Sequence, residues 1–394
     1  MTRTQVLAAA TAFGVAMTGA GGWFGLPGSD PGHDAVAAPR KTVQDRKKPS
    51  KPSKKTGKVA KTQKPRGLAV PRGLLVADDP SLPLGPAWQR QVQRFLGQSR
   101  PELGAFIAMD PATGRVIANS EYAAKSGKVA HPSTSAAFPA ASIFKIVTAA
   151  ALLEQGNVKP GTVTCYHGGS HNLVEANLVD SPKRDRACRS MTAAFAHSTN
   201  AVFGKLAIKH LDAETLVGFA ERLGFNRKLK VGDLEARSVA EKPNGKLALG
   251  RMAAGFTHTR MSPLQAAWMA SVIANGGTAP RDGQAGTDNG RILKATTVTA
   301  LKAMMVSASY DGTGRRHLSA IRGGRVAIKT GTLSSRDGSN LLNTWMVGFF
   351  PADRPEFAFA AVIASPGGPV KAGHLTRFAI ETWLRLKAIR AGRS

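Results

Sequence analysis

The sequence predicts an α/β (α+β) fold: a mainly antiparallel sheet with helices on its faces and a helical segment inserted between the two halves of the sheet. Three observations carry this expectation. Two short strand-like runs come early, at 105–109 and 115–118, and three come late, at 325–329, 344–350 and 356–363. Helical patterns dominate the stretch between them, from about 158 to 320. A further helical run, 374–389, closes the chain. Strands that bracket a helical block imply an antiparallel sheet covered by helices, with the block inserted between its halves.

Taken in order, the chain begins with Arg3 and then carries no charge from Thr4 to Ser29. This stretch contains the apolar runs 6–10 and 13–17 and ends near Trp23 and Phe24. It is long enough to span a bilayer, with Arg3 held on the cytoplasmic side and Trp23 at the far interface. Residues 1–27 are therefore expected to form an N-terminal membrane anchor. The alternative is a cleaved signal peptide, for which Ala35-Val36-Ala37 offers a small-x-small site. Either way the rest of the chain lies outside the cytoplasm: on the periplasmic or extracytoplasmic side of a single-pass cytoplasmic (inner) membrane protein, or secreted to the periplasm.

Residues 28–85 read as a basic, disordered linker. They are rich in Pro, Lys, Gly and Ser, with almost no aromatic residues to bury. The part from Arg40 to Arg66 holds twelve Lys or Arg against the single acid Asp45. Like charges keep such a segment extended, as a solvated spacer. It could also be drawn to anionic lipid headgroups or anionic cell-wall polymers, an attraction that salt screens. The formal net charge of the whole chain is +29. Outside the linker the excess is scattered, with no Arg-rich helix and no basic patch interleaved with aromatics, which speaks against a nucleic-acid partner.

Folded sequence is expected over 86–394, starting where Trp88, Val92, Phe95 and Leu96 recur at helical spacing. The two early strands flank Asp110-Pro111-Ala112-Thr113-Gly114, a turn with Pro and Gly in suitable places. Next comes a helix over 140–154, with Pro139 before it and Gly156 placed to stop it. From Ile143 to Leu153 only Lys145 and Thr148 are not apolar, so this helix belongs in a core. Further helices are expected over 193–208, 213–223 and 263–274. A turn at 351–355 joins the last two strands, and there is no internal repeat.

Lys145 is the first chemical signal. A buried ammonium is costly unless it is paired or loses its proton, and desolvation favours the neutral base. Ser142, three residues earlier, shares its helical face and lies near the helix N-terminus, where free N–H groups favour developing negative charge. A hydroxyl beside a deprotonatable amine is an activated nucleophile. By itself a Ser-x-x-Lys arises by chance about once in a chain of this length.

Two more segments raise the signal. His197-Ser198-Thr199-Asn200 opens a helical run and sets a hydroxyl and an amide close together, fit to pass a proton and bind a peptide carbonyl. Alone, Ser198 and Asn200 would be ordinary helix caps. Lys329-Thr330-Gly331-Thr332 ends a strand, where Gly331 lets a substrate approach the backbone and a cation with two hydroxyls can face an anion. Cys165 and Cys188 are the two cysteines. In an exported chain such a pair is most simply a disulfide, two free thiols being the alternative. Neither has a His or acid at metal-ligand spacing and no His-Glu-x-x-His occurs, so no metal site is expected.

Taken together and in this order, Ser142-x-x-Lys145, Ser198-x-Asn200 and Lys329-Thr330-Gly331 resemble the three motifs of the penicillin-recognising serine enzymes. The likeness extends to the hairpin 108–118, to Ser262-Pro263-Leu264-Gln265 within 259–277, and to Asp311-Gly312-Thr313-Gly314-Arg315-Arg316. It covers about 103–389 and is similar to the transpeptidase domain of a penicillin-binding protein. The resemblance implies a five-stranded antiparallel sheet flanked by helices, an all-helical subdomain inserted between the sheet halves, and an active site between them.

It further implies that Ser142 is acylated with Lys145 as its base, and that Ser198 relays a proton to departing D-alanine with support from Lys329. Asn200 would hold the substrate amide. Thr330, Gly331 and Thr332 would form the substrate-binding strand, the threonines taking the terminal carboxylate. The N–H groups of Ser142 and Thr332 would form the oxyanion hole.

The implied function is peptidoglycan D,D-transpeptidation, with stem peptides as substrates, β-lactam antibiotics as covalent ligands and no cofactor. Alternatives are a D,D-carboxypeptidase, a serine β-lactamase and, from another class, a penicillin sensor without turnover. The stretch before Pro86 leaves no room for a glycosyltransferase domain or a sizeable pedestal, so a monofunctional enzyme is expected. Met261-Ser262 stands where relatives usually have a threonine before Pro-Leu-Gln.

Overall fold

The computed structural model describes residues 84–124, 129–155, 158–281, 290–335 and 337–392. The expected anchor, 1–27, and nearly all of the linker lie outside the described residues. No described helix is long and apolar enough to cross a membrane. In chain order the main elements are α1 (Leu84–Ser99), β1 (Leu103–Met109), β2 (Val116–Ala123), α2 (Lys145–Glu154), α3 (Met191–Ala196) and α4 (Asn200–His210). There follow α5 (Ala213–Arg222), α6 (Gly245–Ala254), α7 (Pro263–Ala274), α8 (Ala295–Tyr310), β3 (Ala327–Ser334), β4 (Leu342–Phe350), β5 (Phe357–Ser365) and α9 (Ala372–Arg390).

The five strands form one antiparallel sheet in the order β3-β4-β5-β1-β2. Its inner strands are apolar on both faces because both faces are covered. Along β1, Phe106 and Ala108 join a core with Trp88 of α1 and Phe378 and Trp383 of α9. Ala105, Ile107 and Met109 point the other way, into the larger core with α2 and α7. Trp88 fixes the first layer: its ring packs against Phe106, Phe357 and Trp383, and its indole N–H donates to the Ala379 carbonyl at 2.8 Å.

The early hairpin closes as its turn residues require. Asp110 Oδ1 accepts from the N–H groups of Ala112 and Thr113, and Gly114 turns at φ +82°. Strand β2 extends past the apolar run of the sequence through Asn119, Ser120 and Glu121. On this edge strand, Gln89 and Gln93 of α1 accept from the N–H groups of Asn119 and Glu121 at 2.9 and 3.1 Å. Side chains from α1 thus occupy an edge that would otherwise be open.

Two features of the helical half differ from the sequence reading. The expected helix over 193–208 is two helices: α3 stops at Ala196, Ser198 adopts φ +58° and α4 starts at Asn200. The apolar spacing runs through this break because α3 and α4 both face the same core. The inserted segment is also not purely helical. It carries short ladders pairing Val163–Tyr166 with Ala187–Ser190, Leu229–Val231 with Leu234–Ala236, and Val239–Ala240 with Thr259–Met261, the last also paired with Phe138–Pro139. Strands of two to four residues are too short to show a period.

Candidate active site

Pro139 leads into a tight turn, with Ala141 at φ +48° and a 3₁₀ segment Ala141–Phe144, from which α2 continues. The turn puts Ser142 at the head of the buried helix and Lys145 on its first position. Residues Lys145 to Leu152 of α2 are all buried. Lys145 Nζ makes three contacts: Ser142 Oγ at 2.9 Å, Asn200 Oδ1 at 2.7 Å and the Ala254 carbonyl at 2.6 Å. The last two groups can only accept, whereas a serine hydroxyl can also donate.

Burial holds the Lys145 pKa well below the ordinary lysine value, and the positive charge of Lys329 pushes it the same way. A neutral lysine here spends its two N–H groups on Asn200 and Ala254, which leaves its lone pair facing the Ser142 hydroxyl. That is the arrangement of a general base on its nucleophile.

Asn200 is fixed from behind. Its amide N–H groups donate to the carbonyls of Gly169 and Ser170 at 3.2 and 2.8 Å, which orients Oδ1 toward Lys145. In this structure, therefore, the Asn200 amide serves protein groups on both sides. The backbone break before α4 places Ser198 opposite. Lys329 Nζ, fully buried in β3, donates to Ser198 Oγ and to the Thr330 carbonyl, each at 3.0 Å. Desolvation lowers its pKa to about 7. Among the described residues no carboxylate is a hydrogen-bond partner of either lysine. Each instead lies near a phenylalanine ring, Lys145 by Phe203 and Lys329 by Phe195.

The Lys329-Thr330-Gly331-Thr332 segment lies inside β3, which runs on to Ser334, not at the end of the strand. β3 is an edge strand, so one side of its backbone faces the cleft. Gly331 lets that edge approach Ser142: a Cβ there would come within 3.2 Å of Ala141 Cβ and 3.3 Å of Ile143 Cγ1. Thr330 Oγ1 meets Thr313 Oγ1 at 2.5 Å, and Thr332 is exposed on the strand. Ser142, Lys145, Ser198, Asn200, Lys329 and Thr330 to Thr332 are thus brought to one cleft.

Two contributors were not singled out from the sequence, and a third, Thr148, stood out only as a polar residue in an apolar run. The Ala254 carbonyl is a backbone acceptor at the C-terminus of α6, and backbone groups carry no sequence signature. Gly255 follows it at φ +89°, where a Cβ would lie 2.0 Å from the Ala141 carbonyl oxygen. Thr148, one turn after Lys145, donates to the Ala253 carbonyl at 2.9 Å and so ties α2 to the same helix end. On the far side of the cleft the sulfurs of Cys165 and Cys188 are bonded, joining the strands Val163–Tyr166 and Ala187–Ser190.

Residues 104–378 match the family described as the penicillin-binding protein transpeptidase domain. Peptidoglycan D,D-transpeptidase PbpA of Mycobacterium tuberculosis is 27% identical over 327 residues, covering 70% of this chain and 64% of that protein. Its Mycolicibacterium smegmatis counterpart is 26% identical over 329 residues, covering 70% and 65%. The chain thus spans just under two thirds of the length of these relatives. Among solved structures, that of M. tuberculosis PBPA superposes with a TM-score of 0.61 at 22% identity, over 76% of this chain and 80% of that one. The transpeptidase domain of Burkholderia pseudomallei penicillin-binding protein 3 gives 0.63 at 20% identity, over 78% and 92%. With 104–378 matched by the family, more than half of its length, the chain belongs to the penicillin-binding protein transpeptidase domain family.

Proposed function

We propose that this protein is a peptidoglycan D,D-transpeptidase that works through a serine acyl-enzyme on Ser142 and is blocked by β-lactams at the same residue. The observation that carries the reading is the contact set of Lys145, which directs a lone pair at Ser142 Oγ. Lys145 takes the Ser142 proton as the oxygen attacks the carbonyl between two D-alanines. Asn200 Oδ1 and the Ala254 carbonyl stabilise the ammonium that forms. Ser198, held by Lys329, passes a proton to the departing amine. Thr330 and Thr332 take the terminal carboxylate, and the N–H groups of Ser142 and Thr332 receive the oxyanion. An acceptor amine then takes the acyl group.

The wider organisation belongs to the same proposal. Residues 1–27 anchor the chain or direct its export, 28–85 form a basic spacer that anionic lipid headgroups or wall polymers attract, and 86–394 form the extracytoplasmic catalytic domain. The PbpA relatives, named as peptidoglycan D,D-transpeptidases, support the transpeptidase reading of the catalytic domain. The test is mass spectrometry of purified protein with an intact cross-linking precursor. Transpeptidation predicts amide-linked dimers that vanish in Ser142→Ala. Release of D-alanine by hydrolysis alone would make the protein a carboxypeptidase, and no turnover would reject both readings.

A further inference from the structure

Beside Ser198 and Asn200 a polar cleft of about 310 Å³ opens, also lined by Tyr166, Gly169, Arg189 and His197. We propose that this cleft receives the acceptor strand, and that Arg189 selects acceptors by binding a carboxylate they carry. The inference rests on the transpeptidase reading and specifies its second substrate.

Chemistry places the acceptor. In acylation the leaving amine departs with a proton supplied through Ser198. In the second half-reaction an amine nitrogen attacks the acyl carbon: the new C–N bond forms, the bond to Ser142 Oγ breaks, and Ser142 Oγ regains the proton that the amine loses. By microscopic reversibility the attacking amine uses the place of the leaving amine, next to Ser198. The space continuing outward from Ser198 is the cleft that contains Arg189.

Arg189 is built into that wall. Cys188 before it is bonded to Cys165, and Ser190 after it caps α3 by accepting from the Ala193 N–H at 3.2 Å. Its backbone is therefore held on both sides. Its guanidinium makes a 3.4 Å contact with Thr199 Oγ1, and among the described residues no carboxylate stands within ion-pair distance of it. Its charge acts on His197, on which the more distant Asp311 carboxylate also acts, and Lys329 lies behind Ser198. A half-buried guanidinium with a planar fork and no protein carboxylate within ion-pair distance is suited to a ligand carboxylate. A peptide amine with a free carboxylate a few bonds away matches the cleft in charge.

The experiment compares two acceptors with the same amine, glycylglycine and glycylglycine amide, using the full chain and a D-alanyl thioester donor. Wild type should transfer to both and prefer the acid. Arg189→Ala should lower transfer to glycylglycine about tenfold, as loss of a charge-assisted hydrogen bond does, and leave the amide within about twofold. Arg189→Lys should fall between them, with unchanged melting temperature and penicillin labelling in both variants. Equal losses for both acceptors, or none, would overturn the assignment. Failure of penicillin to label Ser142 in wild type would instead remove the parent reaction, and the acceptor site with it.

Discussion

Lys145 Nζ stands 2.7 Å from Asn200 Oδ1, and Asn200 in turn is held by two carbonyls of the loop at Gly169 and Ser170. The orientation of the base therefore depends on an amide that must be neutral. Asn200→Asp would put a negative charge against Lys145, and an opposite charge so close raises a lysine pKa by about one to three units. Acylation by a fluorescent penicillin should fall at least about tenfold at neutral pH, and the rising limb of its pH profile should move to higher pH. A variant with an unchanged pH profile would show that Asn200 does not set the protonation of Lys145.

The two lysines have opposite requirements. Lys145 must be neutral to accept the Ser142 proton, whereas Lys329 supports Ser198 and attracts a carboxylate only when charged. The acylation rate should rise with pH through the lowered pKa of Lys145 and fall above about 7, where Lys329 loses its proton. Lys329→Arg keeps the charge at all these values, so it should move the falling limb to higher pH whatever it does to the maximum. A falling limb that stays near pH 7 in this variant would assign it to another group.

Burial of Lys329 also bears on stability. Its pKa is lower in the folded chain than in the unfolded one, so unfolding takes up a proton between about pH 7 and the ordinary lysine value. The cost of burying it is complete below about pH 7 and shrinks as pH rises beyond. Lys329→Met, close in volume and apolar, should abolish efficient acylation yet stabilise the fold at pH 6 by roughly 1 to 4 kcal/mol. The gain should decline toward pH 9. Calorimetry at the two pH values decides it, and a destabilised variant at pH 6 would mean that the contacts to Ser198 and Thr330 outweigh desolvation.

Gly255 places the Ala254 carbonyl against Lys145 and has no space for a side chain beside Ala141. Gly255→Ala should cost more than the usual 1 kcal/mol of a positive-φ glycine and slow acylation severely. Thr148→Val, which keeps its volume and loses the hydroxyl's contacts with the Ala253 and Phe144 carbonyls, should lower stability by about 1 kcal/mol and slow acylation less. Chemical denaturation and labelling rates for both variants test whether this helix end positions the base.

The Cys165–Cys188 bond closes a loop with a sequence separation of 23. In the chain-entropy view such a bridge stabilises by about 3 kcal/mol. Thiol titration of unfolded, unreduced protein should find no free thiol, and replacing both cysteines with serine should lower the melting temperature. Two titratable thiols would refute the bridge.

Much of this arrangement was readable in advance, for physical reasons. The five strands showed because both faces of the sheet are covered, which makes β1 and β5 continuous apolar runs. Lys145 showed because a lone cation in an apolar helix is costly. The break at Ser198 was hidden by apolar spacing that continues from α3 into α4. The extension of β2 was hidden because it is held through its backbone, the Asn119 and Glu121 N–H groups donating to Gln89 and Gln93 of α1, and not by an apolar run of side chains. The backbone acceptor at Ala254 leaves no trace in side-chain chemistry, and Gly255 beside it was one glycine among 42.

The proposed mechanism stands on Ser142 forming an acyl-enzyme that outlives a β-lactamase intermediate. Intact-mass spectrometry after exposure to benzylpenicillin, followed by removal of free drug, tests it most directly. The prediction is one adduct per chain, mapped by peptide analysis to Ser142, that persists far beyond the lifetime of a β-lactamase intermediate, because among the described residues no carboxylate is hydrogen-bonded to Lys145 or Lys329 to activate water. Return of the unmodified mass within seconds with excess penicillin destroyed, or an adduct on another residue, would contradict it.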